Sequence, residues 1–483
     1  MTLIRKYKET IILAISLAAA YFITRFVNLM VVPMFTDEAI YTRWSQIARY
    51  DASWRFISLT DGKQPSFIWI DMVAQRFFED PLLAGRIVSV ISGFFGMIGI
   101  YFLASEIFKN KRIGIIASIL YIIYPFTLVY DKMALYDSLV TTISIWSLYL
   151  AILLVRRIRL DIALILGMVL GFGALTKASA FLSIYLMPAT LLLFNFIQKG
   201  KKLEFIKWLG LAALASSMAY GFYMIIRLSP FFHIIDEKTH LFVYTFREWL
   251  DHPTEFLAGN FNGLVNWFLA YFTIPAFIAA LLSFFFGGKT FWREKLLLFI
   301  WFAVPFVALA VFGRILYPRF ILFMTLPLLV LLAFSINYVW ENAKTNIAKY
   351  GLIIAAIAMM LVSDFYILTD LARAPIAKPD TDQFMNSWPA GGGVREIVSF
   401  FSEKSKNQKI YVATEGTFGS LATYSVEIYL GDNKNIDKRG IYPLPSDIPK
   451  DLVERAKKMP VYLVINDSQK PPPAWPLKLI ARY

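Results

Sequence analysis

Long stretches without a charged residue recur along this chain and limit what it can fold into. Examples are residues 113–130, 138–155, 208–226, 296–312 and 320–339. At 1.5 Å per helical residue, each stretch is long enough to cross roughly 30 Å of hydrocarbon. Hydrophobic residues make up 58% of the 483 residues and charged residues only 17%, which is more apolar surface than a soluble enzyme can bury. The sequence therefore predicts a polytopic α-helical membrane protein.

Taken in order, the apolar stretches predict about eleven transmembrane helices. The first has a basic start, and its Ala18-Ala19-Ala20 resembles a signal-peptide cleavage site. Its apolar residues continue to Val32 and ten more spans follow, so we expect an uncleaved first helix. The predicted spans are residues 10–32, 84–108, 113–130, 138–155, 161–176, 178–197, 208–228, 265–286, 296–312, 320–340 and 350–369.

Basic residues mark one side of the predicted bundle. Alternate connections carry clustered Lys and Arg, at Arg112, Arg157 and Lys201 for example, and the positive-inside rule assigns them to the cytoplasm. The Arg156 and Lys199 clusters must then lie on the same side, so the chain crosses twice between them. The predicted outer segments are residues 33–83, 131–137, 229–264 and 313–319, a turn at Thr176-Lys177, and everything after about 370.

The charge and the absence of cysteine exclude several classes of function. The net charge of +14 is scattered between the apolar runs, which points to topology and anionic lipid and argues against nucleic-acid binding. A chain with no cysteine has no disulfide framework, no thiolate zinc site and no cysteine nucleophile.

The tail after residue 370 has a soluble pattern. Its prolines and the Gly391–Gly393 run predict a linker. Alternating helical and strand patterns then predict a small extracytoplasmic α/β domain, accessory or facing the acceptor. We expect helices at 394–405, 418–430 and 447–458 and strands at 409–413 and 461–465. The predicted domains are a transmembrane domain over 1–370, the linker over 371–393 and the α/β domain over 394–483.

Two glycines of this tail invite a nucleotide-binding interpretation. Gly416 and Gly419 have GxxG spacing after a predicted strand. That spacing alone is a weak signal. The nucleotide would also have to be extracytoplasmic, so this interpretation is disfavoured.

An acidic pair directly follows the first predicted span. Asp37 and Glu38 begin a segment whose Ile40, Tyr41, Trp44 and Ile47 fall near one helical face, which predicts an amphipathic helix on the outer face. Asp37 would lie near the helix N-terminus, where backbone amides favour a carboxylate. Taken alone, a capping role is the simpler interpretation of the pair.

Further ionisable residues are predicted on the same side of the membrane. Snorkelling explains any single cation. Several cations and carboxylates together predict a site for an anionic headgroup beside a general base, with the ligand's apolar part in lipid. These residues are Lys63 before an aromatic segment, Arg86 at the start of the second span, Asp131, Lys132 and Asp137 in one loop, Lys177, and Arg314 and Arg319 in another.

These motifs resemble the C-type membrane glycosyltransferases, in particular protein O-mannosyltransferases and lipid A aminoarabinose transferases. The resemblance covers roughly residues 10–340. It implies eleven or more spans, an outward-facing active site and transfer of a sugar from a polyprenyl-phosphate carrier to an acceptor. The motifs are Asp37-Glu38, Lys63-Gln64-Pro65, Ala84-Gly85-Arg86, Met133–Asp137, Leu175–Lys177 and Pro318–Phe320.

The resemblance also implies roles for individual residues. Asp37 matches the catalytic carboxylate, with Glu38 assisting it and Asp137 as a second acid. Lys63 and Arg319 match cations that hold the carrier phosphate, and Lys177 matches a lysine at the outer end of a span. Phosphate binding is expected to involve Arg86 as well, and Tyr41 to line the acceptor pocket.

The sequence departs from the family pattern at two positions. The family's Lys-Pro-Pro is Lys63-Gln64-Pro65 here, and Ile40 stands where the aminoarabinose transferases have a basic residue. Phosphate binding is therefore expected to rest more on Lys63, Arg86 and Arg319, and the aminoarabinose assignment does not follow from the motifs. The sugar, a hexose or a pentose, and the acceptor, a protein, a lipid or a glycan, are left open because no motif identifies them.

A divalent metal is a further expectation that the sequence leaves open. The three histidines, His233, His240 and His252, all fall in the loop at 229–264 with acidic neighbours Asp236, Glu237 and Asp251. Their spacing fits no defined ligand set, and solvated loop histidines are the favoured interpretation.

Two other classes of function remain as alternatives. A transporter of lipid-linked sugars or small molecules would share the basic loops, but it should carry charges near the bilayer midplane and repeated halves. A structural or binding membrane protein would leave Asp37, Lys63, Asp137 and Arg319 without a joint role. If the protein is a transferase, these four side chains should converge within one outward-facing cavity.

Overall fold

The computed structural model describes residues 2–196, 201–466 and 470–483, with side chains from residue 8 onward. Lys199, which we expected on the cytoplasmic side, lies outside the described residues. The chain divides into two compact units. The first unit comprises Met1–Leu29, Phe56–Phe67 and Arg86–Lys378, and the second comprises Met30–Arg55, Ile68–Gly85 and Pro379–Tyr483.

Helices dominate the chain, as predicted. The α-helices are α1 Thr2–Phe26, α2 Thr36–Tyr50, α3 Ser66–Ala74, α4 Pro81–Phe108, α5 Lys111–Ile122, α6 Pro125–Tyr130, α7 Tyr136–Arg157, α8 Leu160–Ala174, α9 Phe181–Leu186, α10 Lys201–Tyr223, α11 Ile234–Phe242, α12 Phe246–Asp251, α13 Leu257–Phe272, α14 Ile274–Leu282, α15 Trp292–Phe312, α16 Leu322–Asn342, α17 Asn346–Thr369, α18 Lys378–Thr381, α19 Val394–Asn407, α20 Leu421–Leu430 and α21 Lys450–Ala456. Short 3₁₀ helices occupy Ala52–Trp54, Ile57–Asp61, Ala178–Ala180, Met187–Leu193, Met224–Leu228, Pro318–Ile321 and Leu371–Arg373, and a π-helical turn occupies Asp382–Asn386.

The long apolar helices confirm a polytopic membrane protein. Within the described residues, seven helices are long and apolar enough to cross a membrane, or eight if α13 and α14 together form one bent span. The exact number of eleven spans stays a prediction. The seven are Lys8–Phe26, Pro81–Phe108, Tyr136–Arg157, Lys201–Leu228, Trp292–Phe312, Pro318–Asn342 and Asn346–Thr369.

The other predicted spans are helical but shorter or interrupted. Pro125 starts a new helix and so divides the predicted span at 113–130 into α5 and α6. Residues Ala178–Leu193 form a chain of 3₁₀ and α turns around Pro188 rather than one helix. Between α13 and α14, Thr273 has a φ of 66° and the helix direction changes by 89°. Hydropathy alone does not reveal these breaks.

Helix α16 forms the core of the first unit. Every residue from Leu322 to Asn337 is buried, so this helix is covered by protein on all sides. By contrast, only 11% of the first span is buried, and its apolar residues Ile12, Ile15 and Ile23 are exposed, as expected for a lipid-facing helix.

The second unit contains a three-stranded parallel sheet with strand order β4-β3-β5. In β3 at its centre, Ile410 and Val412 face one apolar cluster and Tyr411 and Ala413 face another, as the two-residue period of a strand requires. A two-stranded antiparallel ladder pairs β1 with β2. The strands are β1 Met34–Phe35, β2 Ala390–Gly391, β3 Ile410–Glu415, β4 Ile436–Ile441 and β5 Val461–Val464.

The small α/β fold predicted for the tail is confirmed, with two differences. Strand β4 was not predicted, because its sequence IDKRGI carries three charged residues in a row. Helix α20 begins at Leu421 rather than Phe418, because Gly416 and Gly419 both have positive φ and form a loop before it. The domain boundaries at 370 and 394 stay a prediction.

Candidate active site

Helix α2 of the second unit carries the acidic pair in its first turn, as predicted. Ile40, Tyr41 and Trp44 form its buried face, and Asp37 is half-buried. The amide groups of a helix N-terminus favour a negative charge at such a position. Asp37 is therefore held at the start of α2 as a partly accessible carboxylate.

The two acids of the pair have different environments. Glu38 is fully buried, and its Oε2 accepts a hydrogen bond of 3.0 Å from the backbone N–H of Phe35, which caps the helix. Of the two side chains, Asp37 is thus the more accessible. Tyr41, expected in the acceptor pocket, is 5% exposed and its ring lies 6.1 Å from that of Trp44.

Asp137 and Lys177 of the first unit form an ion pair. Lys177 Nζ lies 2.6 Å from Asp137 Oδ1, and the Asp137 side chain is 5% exposed against 24% for Lys177. The ammonium also lies 4.9 Å from the centre of the Phe320 ring, next to Arg319. Two residues predicted separately, 40 positions apart, are therefore direct partners.

The segment after Lys63 is anchored to the turn that contains Lys177. The Ser66 backbone N–H donates to Leu175 O at 3.0 Å, and the hydroxyl groups of Ser66 and Thr176 are 2.6 Å apart. Three motifs of the sequence thus come together in the first unit: Lys63–Ser66, Tyr136-Asp137 and Leu175–Lys177.

Lys63 has a carboxylate neighbour that sequence reasoning did not identify. Its Nζ lies 3.3 Å from Asp61 Oδ2, while Lys238 Nζ lies 2.6 Å from Asp61 Oδ1. A Cβ at Gly62 would lie 2.5 Å from Lys238 Cβ, so the backbone approaches helix α11 closely here. Two cations thus contact the same carboxylate. No sequence signal links Lys238 to Asp61 across 177 positions.

Arg86 and Lys132 both bond to the chain that follows α1. Arg86, fully buried, donates to Leu29 O at 2.7 Å, and Lys132 donates to Val27 O at 2.6 Å. Burial, reinforced by the charges of Arg25 and Arg86, lowers the pKa of Lys132 to about 8. Arg86 does not begin the second span as predicted, because α4 starts five residues earlier at Pro81, where Asp80 Oδ1 accepts from Leu82 N.

A buried ion pair lies beside these cations. Arg25 and Asp131 are 3.3 Å apart and essentially inaccessible, and Tyr21 and Ser138 donate to the same carboxylate. Arg25 lies inside a predicted span, and a charged residue there indicates a buried partner of opposite charge. Because the carboxylate is saturated with donors, this pair fixes helix packing.

Arg319 lies in the 3₁₀ helix Pro318–Ile321 that precedes α16. Its guanidinium stacks 5.0 Å from the Tyr317 ring, and the residue is half-buried. Asp37 and Glu38 belong to the second unit, whereas Lys63, Asp137, Lys177 and Arg319 belong to the first. The convergence of the two groups stays a prediction.

The histidines provide no ligand set for a metal. His240 lies 3.9 Å from Asp236 and His252 lies 3.7 Å from Glu255, both at exposed positions. Within the part of the chain that the structure describes, no three His, Asp or Glu residues gather closely enough to hold an ion. These residues do not fit a metal site.

Comparison with known proteins agrees with the resemblance seen in the motifs. Residues 63–223 match the sequence profile of a family described as dolichyl-phosphate-mannose-protein mannosyltransferase. This range includes Lys63, Arg86, Asp137 and Lys177. No curated protein sequence matches the chain.

Solved structures share the fold. ArnT from Cupriavidus metallidurans, a lipid A aminoarabinose transferase, superposes in its apo state with a TM-score of 0.53 at 14% identity, covering 86% of this chain and 84% of ArnT. The same enzyme bound to undecaprenyl phosphate gives a TM-score of 0.53 at 14% identity, over 94% of this chain and 90% of ArnT.

A third similar structure is an archaeal oligosaccharyltransferase, AglB from Archaeoglobus fulgidus, in complex with an inhibitory peptide and a dolichol-phosphate. Its TM-score is 0.51 at 14% identity, over 88% of this chain and 64% of AglB. The chain thus has the fold of ArnT and AglB, and its predicted resemblance to the C-type membrane glycosyltransferases is confirmed.

Proposed function

We propose that this protein is an integral-membrane glycosyltransferase that takes its sugar from a polyprenyl-phosphate carrier. The observation that carries the proposal is the position of Asp37, a half-buried first-turn carboxylate, in a chain whose fold matches carrier-bound ArnT over 94% of its length. The match of residues 63–223 to a mannosyltransferase family supports the same reaction class. Both likenesses favour a transferase over the transporter alternative.

In the proposed reaction, the anomeric carbon of the sugar exchanges its bond to the carrier phosphate for a bond to the acceptor oxygen. The acceptor hydroxyl loses its proton to the Asp37 carboxylate while its oxygen attacks that carbon. The bond between the anomeric carbon and the phosphate oxygen breaks, and its electron pair leaves with the polyprenyl phosphate. The products are a glycosylated acceptor, a carrier phosphate with one more negative charge, and a protonated carboxyl.

Asp37 suits the role of the general base better than the other two acids. The Glu38 carboxylate already accepts the capping hydrogen bond from Phe35 N–H. The Asp137 carboxylate is paired with Lys177, and this contact suits a positioning role.

The cations of the first unit are proposed to bind the phosphate and stabilise the charge that develops on it. Lys63 and Lys238 both lie against Asp61, so two ammonium groups are held close together where an anion could bind. Lys177 and Arg319 lie beside the Phe320 segment, and Arg86 is held at the end of α1. The polyprenyl chain itself requires only lipid or an apolar surface.

A transfer assay tests the proposed reaction. Purified protein in lipid nanodiscs would be incubated with undecaprenyl-phosphate-linked mannose or arabinose and with extracted cell-envelope material as the source of acceptor hydroxyls, and the release of free undecaprenyl phosphate would be measured. Release by the wild-type protein with at least one of the two donors is the expected result. No release with either donor would contradict the proposed transferase function, provided that a thermal unfolding transition shows the protein in the nanodiscs to be folded.

The active site and the C-terminal residues are proposed to face the extracytoplasmic side. The charge bias of the connections supports this orientation. Because the chain has no cysteine of its own, single-cysteine labelling in intact cells is clean. Asn407→Cys should react with an impermeant maleimide from outside, whereas Lys111→Cys should react only after permeabilisation. The reverse pattern would place the site in the cytoplasm.

A further inference from the structure

The segment that carries Asp37 is bonded to the C-terminal part of the chain within the second unit. Strand β1 ends two residues before Asp37 and pairs with β2, with Met34 opposite Gly391 and Phe35 opposite Ala390. The backbone N–H and the hydroxyl of Thr36 both donate to Pro389 O at 2.9 Å. The chain immediately before Asp37 is therefore fixed by residues more than 350 positions later.

The helix that follows Asp37 is fixed by a second set of contacts. The Trp44 ring lies 5.7 Å from that of Phe418, and Ile40 packs against Gly419. On the same helix, Arg43 Nε donates to Glu427 Oε2 at 2.8 Å, and Gln46 Nε2 donates to Ile428 O at 3.1 Å. Helix α20 and the loop before it thus cover the side of α2 next to Asp37.

The loop at Gly416–Gly419 is occupied by these contacts. It follows the carboxyl end of the central strand β3, where open α/β sheets commonly bind ligands. Here Ser420 Oγ donates to Glu415 O at 2.7 Å and Thr423 Oγ1 donates to Gly416 O at 2.9 Å, which closes the loop on itself. Phe418 then extends from the loop to Trp44. The loop that could have bound a nucleotide therefore packs against α2 instead.

We propose that the C-terminal residues position the general base, and that Gly391 and Glu427 are positioning residues for Asp37. The inference rests on the proposed function. A carboxylate on a first helical turn has no rigidity of its own, and a displacement of about 1 Å at a reacting group costs roughly 10²-fold in rate. Contacts on both sides of Asp37 supply that rigidity.

Two neighbouring glycines give a matched test. A Cβ at Gly391 would lie 2.3 Å from the backbone oxygen of Met34, so Gly391→Ala must displace β1. A Cβ at Gly392 would meet nothing within 4 Å, so Gly392→Ala leaves the ladder intact. Both variants add the same methyl group to the same turn.

The first experiment compares these variants in nanodiscs by hydrogen exchange and by donor turnover. In Gly391→Ala, backbone amides of residues 36–46 should exchange at least tenfold faster, and kcat for undecaprenyl phosphate release should fall roughly 10- to 100-fold. KM for the donor should change less than twofold, because the cations belong to the first unit. Gly392→Ala should match the wild type in all three.

Exchanging the charges of Arg43 and Glu427 tests the contact between α2 and α20. The chain keeps its length and its backbone ladder in these variants. Arg43→Glu and Glu427→Arg should each lower kcat several-fold by placing like charges together, and the double variant should recover at least half of the loss. The side chains are 24% and 29% exposed, so neither substitution leaves a buried unpaired charge. Failure of the double variant to recover turnover would overturn the role of Glu427.

The outcomes separate this inference from the proposed function. If wild-type protein releases no carrier phosphate, the proposed function fails, while the exchange rates of residues 36–46 still test the positioning. If Gly391→Ala is folded and turns over normally, or if Gly392→Ala loses as much activity, the positioning role is refuted. If Gly391→Ala does not fold, the double variant of Arg43 and Glu427 provides the test: recovered turnover supports the positioning role, and no recovery refutes it.

Discussion

The two units of this protein carry different parts of the proposed chemistry. The second unit holds Asp37 on a helix whose surroundings come from distant parts of the chain. The first unit holds the cations, which bond to acids or to backbone oxygen atoms, such as Lys63 to Asp61 and Arg86 to Leu29 O. The difference implies that base catalysis and carrier binding can be impaired separately. A site in which one group did both would not show this separation.

The largest expected effect is on turnover in the second unit. Asp37→Asn keeps the size and polarity of the side chain but cannot accept the acceptor's proton, so donor turnover should fall by roughly 10²- to 10⁴-fold. Binding of undecaprenyl phosphate should stay within twofold. Asp51→Asn, an exposed acid at the other end of α2, is the matched control and should be unaffected. Near-normal turnover of Asp37→Asn would transfer the role of base to another acid.

Carrier binding should respond to the cations of the first unit. Lys63→Ala or Arg319→Ala removes a charge-assisted contact of about 1.5 to 3 kcal/mol, which weakens undecaprenyl phosphate binding roughly 10- to 150-fold. Lys344→Ala, an exposed lysine that we expect in the cytoplasm, is the control. Unchanged dissociation constants for both variants would remove these cations from the site.

The shared carboxylate allows a sharper test of the same cations. Asp61 lies against both Lys63 and Lys238, so Asp61→Asn raises the net positive charge there. Carrier binding should strengthen roughly two- to fivefold, because partly exposed pairs are worth about 0.2 to 1 kcal/mol. Weaker binding would mean instead that Asp61 serves to orient Lys63.

A separate expected effect concerns stability, and not turnover or carrier binding, in the second unit. Asp71 is fully buried on α3, and this burial raises its pKa to about 7 despite the hydrogen bond that Gln75 Nε2 donates to its Oδ2. Between pH 4 and 7 the folded carboxyl keeps a proton that the unfolded one has lost, so stability falls as pH rises, by up to about 1.4 kcal/mol per pH unit, and levels off above 7.

Asp71→Asn should flatten this pH dependence, as followed by the unfolding midpoint in detergent between pH 4.5 and 7.5. The exposed Asp432→Asn should keep the slope of the wild type. If the wild type shows no fall in this range, Asp71 titrates as an ordinary carboxyl and is not isolated from water.

Sequence periodicity predicted the helices better than it predicted their interruptions. Hydropathy averages over many residues, so it detects α16 but not the bend at Thr273 or the new start at Pro125. Strand β4 was missed because its sequence is too charged to look like a strand. It lies at the edge of the sheet, where Asp437, Lys438 and Arg439 remain partly accessible to water.

The candidate site was predicted by residue type, but its partners were not. Asp37 and Lys177 were identified from their places beside spans, where charged groups are costly. That Lys177 pairs with Asp137, and that Lys238 shares Asp61 with Lys63, depends on tertiary packing of distant segments. The pairing of Met34 with Gly391 could not be predicted either, because these segments are far apart in the sequence and two-residue strands show no periodicity.

The most direct test of the central claim compares the lipids that copurify with the wild type and with Asp37→Asn. Mass spectrometry of lipids extracted from both proteins, after incubation in native membranes, reads donor and product together. We expect polyprenyl phosphate carrying a hexose or pentose on Asp37→Asn, and free polyprenyl phosphate on the wild type. The same lipid on both proteins, or no polyprenyl phosphate on either, would contradict it.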